Sequence, residues 1–147
     1  MSKPSIILSE IKDLLEDDAT LSEYVQGGVF IGIRESLIDY PCIILEPLRM
    51  LESDDTFPYQ DLRFRVAVML FTKIMDKDKQ LVGDDSEKGI LDFENDVKKV
   101  LSSDRRLDSN AIHSTFIETT YSFEEYPIRN CTIEIEVLFR QTSTTRV

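Results

Sequence analysis

The sequence predicts an α+β fold: an antiparallel or mixed β-sheet of four to five strands with two main helices packed on one face. Three observations predict it. Apolar residues recur at helical spacing in two separated segments, around residues 6–15 and 90–101. Residues 60–73 and 129–141 instead alternate in side-chain character at period two. The elements run helix, two short strands, one long strand, helix, two long strands, with no internal repeat and no low-complexity linker.

The first helix rests on Ile6, Ile7, Ile11, Leu14 and Leu15, with Glu10, Lys12, Asp13 and Glu16 on its other face. Pro4 suits its first turn. Asp17-Asp18 ends it, because carboxylates disfavour a helix C-terminus. Thr20-Leu21-Ser22-Glu23 matches a capping box for a short helical turn that Gly27-Gly28 can close. Residues 29–34 (VFIGIR) are a short strand candidate. After Tyr40-Pro41, residues 42–46 form a second strand, expected to end at Pro47. Turn residues make 52–59 an acidic loop.

Residues 60–73 carry the strongest strand signal. Leu62, Phe64, Val66, Val68 and Leu70 share one face; Arg63, Arg65, Ala67, Met69 and Phe71 share the other. The second face is polar at its start and apolar at its end, so this strand should pass from water into contact with another surface. A charged connection over 76–85 leads to a second helix over 86–103, with Ile90, Phe93, Val97, Val100 and Leu101 as its stripe. Gly89 near its start costs up to about 1 kcal/mol relative to Ala. Strands over 111–123 and 129–141 close the chain. In the latter, Cys131, Ile133, Ile135, Val137 and Phe139 point inward and Thr132, Glu134, Glu136 and Arg140 outward.

A chain of 147 residues fits one domain. It is placed at 1–141, followed by a polar tail, 142–147, expected to be mobile. Such a chain buries about 68–70% of its unfolded surface, enough for a core without a disulfide or metal. Seventeen bases against 28 acids give a net charge of −11, which argues against a nucleic-acid reader or a polybasic membrane binder. Residues 1–61 hold 13 acids and 4 bases, a net of −9. One rim should therefore repel polyanions and attract basic partners, although acids placed only for solubility would show the same excess. Three apolar residues, Ile6 to Leu8, are too few for a secretory signal. The longest strongly apolar run, 66–71, falls far short of the ~18 residues of a membrane span. The expectation is a soluble intracellular protein. Cys42 and Cys131 sit in strand-like apolar stretches and read as buried free thiols, with a bridge between them left open.

Catalytic motifs are scarce. His113, the one histidine, lies in a strand among Thr and Ser and reads as a surface or edge residue. Two distant cysteines and one histidine do not make a zinc site. Asp76, Asp78, Gln80, Asp84 and Glu87 fall on calcium-loop positions, but Leu81 replaces the required glycine and Lys77 and Lys79 oppose a cation. A solvated charged loop is the better reading. No phosphate-binding glycine loop exists. The paired acids Asp17-Asp18, Asp54-Asp55 and Asp84-Asp85 lie in polar stretches with nothing to raise a pKa. No cofactor and no enzymatic activity are expected.

The layout resembles the tail terminator (tail completion, head-tail joining) proteins of long-tailed bacteriophages and prophages. The resemblance is carried by residues 11–18 (IKDLLEDD), 40–45 (YPCIIL), 64–72 (FRVAVMLFT) running into a helix, and 133–140 (IEIEVLFR). It spans nearly the whole chain, in layout and texture rather than in a short motif. It implies a structural virion assembly protein that forms a ring, typically a hexamer, on the tail tube. That ring ends tube polymerisation and provides the docking surface for the head-neck connector, while genomic DNA passes through without specific binding. It also implies a place in the virion tail, and in the host cytoplasm during assembly. On this reading Met69 and Phe71 are candidate inter-subunit contacts, and Glu52, Asp54 and Asp55 are candidate lumen or docking contacts. Carboxylates facing a channel would repel phosphates over the Debye length of about 8 Å. The alternative is an acidic homodimeric secretion-type chaperone that binds an unfolded effector segment. That class would call for a third, closing helix, where this chain ends in a polar tail.

Overall fold

The computed structural model describes residues 1–32, 39–52, 59–84, 87–122 and 126–142. Helix α1, Lys3–Asp17, is opened by Ser2, whose hydroxyl accepts from the Ser5 amide at 3.3 Å, and it carries Pro4 in its first turn. It buries Ile7, Leu8, Ile11 and Leu15. It ends at the expected Asp17-Asp18 break, and Asp18 then caps the short helix α2, Ala19–Tyr24, by accepting from the Leu21 amide at 3.0 Å. The cap is thus Asp18 and not Thr20. Two residues earlier, a carboxylate meets the free amides directly and also favours the positive end of the helix dipole.

Four strands and a third helix follow α2 and strand β1, Gly28–Ile31. They are β2, Cys42–Glu52; β3, Tyr59–Lys73; helix α3, Ile90–Ser103; β4, His113–Ser122; and β5, Ile128–Thr142. A short 3-10 turn, Lys77–Lys79, lies between β3 and α3. The sheet order is β1-β2-β3-β5-β4. β1 runs parallel to β2 and all other pairs are antiparallel, so the sheet is mixed.

Three boundaries differ from expectation. β2 does not stop at Pro47 but runs on to Glu52 through a register shift between Pro47 and Arg49. Proline is tolerated there because β1 pairs only with Cys42–Leu45, so Pro47 lies where the outer side of β2 has no strand among the described residues. Helix α3 begins at Ile90, and Gly89 is its N-cap rather than part of its first turn. The last strand runs to Thr142, one residue past the predicted Gln141; residues 143–147 lie outside the described residues.

One core lies between the sheet and the helices. It takes Leu62, Phe64, Val66, Val68 and Leu70 from β3, the alternate set Cys131 to Phe139 from β5, and Ile43 and Leu45 from β2. Helix α3 contributes all five residues of its stripe. Each large aliphatic or aromatic side chain so buried contributes about 1.5–3 kcal/mol before entropy is charged. Helix α1 packs on β1 and α3, and α3 packs on β3 and β5. The helices thereby cover one face of the sheet, as expected, and among the described residues no helix lies over the opposite face.

Candidate functional site

Period-two alternation sends the odd-numbered residues of β3 to the helix-free face. Arg63, Arg65, Ala67, Met69 and Phe71 lie there, in register with Leu138, Glu136, Glu134, Thr132 and Asn130 of β5. Arg65 binds two carboxylates at once: Nε donates to Glu136 at 2.7 Å and Nη1 to Glu134 at 2.8 Å. Arg63 lies 3.9 Å from Glu136. The hydrogen bonds from Arg65, to Glu136 first and then Glu134, hold its guanidinium pKa above the ordinary value. Further along, Arg140 pairs with Asp61 at 2.7 Å.

The sequence-predicted residues separate on this frame. Met69 and Phe71 are half-buried on the open face, beside Ile44 and Cys42 of β2, which are their register partners and are fully covered. The strand does pass from charged to apolar surroundings, with Ala67 buried at the transition. Glu52 is exposed at the end of β2, on a cleft of about 400 Å³ shared with Leu51, Asp61, Arg63 and Leu138. Asp54 and Asp55 lie outside the described residues. The Arg65 network was not visible in the sequence, because it needs the β3–β5 register. The signal available was two arginines at alternate positions in one strand and two glutamates at alternate positions in another.

Other places offer less chemistry. His113 is exposed at the start of the edge strand β4. In the charged connection, Asp84 pairs with Lys79 at 2.9 Å and accepts from the Glu87 amide, while Asp76 accepts from the Asp78 amide. Among the described residues no cluster of His, Cys, Asp and Glu is arranged to hold a metal ion. A larger cleft of about 640 Å³ is lined by Tyr24, Pro41, Ile74, Met75 and Lys88 among others. Tyr24 donates to the Lys88 carbonyl, and burial, with Asp96, Asp92 and Glu87 nearby, pushes its phenol up to about 12.

Cys42 and Cys131 are free and buried. Cys42 is paired with Phe71 on the open side and Cys131 with Leu70 on the helix side, so they point to opposite faces of the sheet. Burial raises the Cys42 thiol to about 11; burial first, then Glu94, raises Cys131 to about 12. At about pH 8 the native chain should therefore react with iodoacetamide about a hundredfold more slowly than an unfolded control. Both thiols are held neutral by folding, so their contribution is fully present below the ordinary value of 9.0 and is lost as pH rises through 11 to 12. Denaturation midpoints that stay flat across that window would contradict the assignment.

The fold and this site define an α+β sandwich with one helix-covered face and one face that presents charge networks and small apolar patches. No protein-family model and no curated protein matches the sequence. Among solved structures, the chain is similar to one from the virion of a native gene transfer agent (GTA) particle. The TM-score is 0.64 over 95% of this chain and 98% of that one, at 9% sequence identity. The likeness is one of fold. Among the described residues no helix is long and apolar enough to cross a membrane.

Proposed function

We propose that this chain is a structural protein of a phage-like particle and acts without catalysis. The observation that carries the reading is the end-to-end fold match to a chain of the GTA virion, with little unmatched in either protein. Within that class we propose a tail terminator: a ring, hexameric, that sits on the last layer of the tail tube. It stops tube growth, receives the head-neck connector and lets DNA pass. The order of elements from α1 to β5 supports this, as does the exposed Glu52 at the rim of β2 in the acidic part of the chain. Met69 and Phe71 supply a small apolar contact for the neighbouring subunit, since both retain exposed surface on the face that carries no helix among the described residues.

The test is genetic and structural together. Deleting the gene in the cell that makes the particle should give tails of uncontrolled length, or tails without heads, seen by electron microscopy. Normal tails would end the proposal. Replacing Glu52, Asp54 and Asp55 together by Ser should reduce head joining with folding intact. Unchanged infectivity would remove those three residues from the docking surface. Mass in solution separates the classes: a tight dimer at every concentration would favour the secretion-chaperone alternative.

A further inference from the structure

Across the open face, like charges meet near both edges. Arg49 and Arg65 share one row, which continues to Glu136 and Thr115; Glu118 and Glu134 share the next, which continues to Ala67 and Glu46. Arg49 is the register partner of Arg65, and Glu118 is the register partner of Glu134. Like charges directly opposite on neighbouring strands are destabilising. Arg65 joins the two rows, pairing with Glu134 at 2.8 Å and with Glu136 at 2.7 Å, which leaves Arg49 and Glu118 as the outer charges. The two outer ones are exposed, and neither makes an ion pair among the described residues. The β2 side thus carries an exposed Arg49 and the β4 side an exposed Glu118, each without an ion pair among the described residues.

A second pattern coincides with the first. Each outer charge follows a register shift, between Pro47 and Arg49 in β2 and between Phe116 and Glu118 in β4. The residue inside each shift is an exposed aliphatic side chain, Leu48 at 47% and Ile117 at 40%. The edges therefore carry matching dipeptides, Leu48-Arg49 and Ile117-Glu118. Among the described residues, β1 pairs with β2 only at Cys42–Leu45 and β4 pairs with β5 alone. Pro47 and the two shifts blunt these edges against continuous strand addition. What remains for a partner is a short side-chain contact.

We propose that these edges are the two halves of one head-to-tail contact between copies of this chain, in which Leu48 and Arg49 of one copy meet Ile117 and Glu118 of the next. Each outer charge gains an opposite neighbour, and both aliphatic side chains leave water. A two-fold dimer through either edge would instead set Arg49 against Arg49 or Glu118 against Glu118. Contact between different edges is heterologous, and such contacts close into rings when the rotation allows. The inference deepens the ring reading above and relies on it only for closure.

The test uses full-length chains with one surface cysteine each, Leu48→Cys and Ile117→Cys, under mild oxidation. Cys42 and Cys131 are buried, and the unaltered chain is the control for their silence. Disulfide-linked dimers are expected in the equimolar mixture and not in either variant alone; the double variant should give a ladder. Links within a single variant, or none in the mixture, overturn the contact. Independently, Arg49→Glu and Glu118→Arg should each weaken self-association at least about tenfold, and mixing the two should restore it. In the mixture an alternating assembly pairs opposite charges at every contact. Association that neither variant weakens, or that mixing does not restore, also overturns it. An assembly that forms from the Arg49→Glu chain with undiminished affinity defeats the edge contact and leaves the ring reading standing. The expected cross-links in a chain whose deletion leaves tails normal defeat the ring reading and leave the contact.

Discussion

Phe93→Ala is expected to lower the free energy of unfolding by about 4 kcal/mol, read from denaturant or thermal unfolding. Phe93 is completely buried on the inner face of α3. Its ring meets Tyr24 edge-on, with centroids 5.0 Å apart and planes at 78°. Removing it leaves a void among Ile90, Val97 and the sheet, and also removes the aromatic contact, worth about 0.5–1.5 kcal/mol by itself. Its N-cap, Gly89, has no side chain to bind the first amides; those of Ile90 and Leu91 donate to the Gln80 and Leu81 carbonyls, and the packed face secures the rest of α3. Leu91→Ala, on the same helix but 43% exposed, should change stability by no more than about 0.5 kcal/mol. Equal losses for the two variants would show that the helix is not secured in this way.

Gly27→Ala should cost about 3 kcal/mol, for a different reason. A methyl group at this position would collide with the Asp39 carbonyl oxygen, and would lie 2.6 Å from the Asp39 carbonyl carbon and 2.9 Å from the Pro41 oxygen. All three atoms belong to the backbone and cannot rotate away. The Gly27 amide donates to that same Pro41 oxygen at 2.9 Å, which brings Gly28 into register with Cys42. A shift here would therefore move β1 off β2. Gly32→Ala is the comparison: there is nothing within 4 Å, but φ is +88°, so only the left-handed backbone cost of about 1 kcal/mol applies. If the two substitutions were equally mild in thermal melts, the close approach of Gly27 to Asp39 and Pro41 would not constrain the fold.

The residues that became core were legible in advance where a single element decides burial. All five residues of the α3 stripe are buried, and so are the five even-numbered positions read from 62 to 70 in β3. Pro47 was misread for the opposite reason. Whether proline ends a strand depends on whether a neighbour needs its missing amide, and that neighbour, β1, proved too short to reach it. The candidate site divides in the same way. That Met69 and Phe71 share a face with Arg63 and Arg65 follows from period two. That Arg65 lies between Glu134 and Glu136 does not, since those partners are 69 and 71 residues away.

The sequence by itself determined which side chains leave water, where the helices break and which residues share a face, because periodicity and capping act within a few residues. Only the tertiary structure decided the strand order, the register across β3 and β5, and which stretches of β2 and β4 lack a second partner strand among the described residues. Those depend on contacts between distant segments, where a slip of one residue would exchange the two faces of a strand.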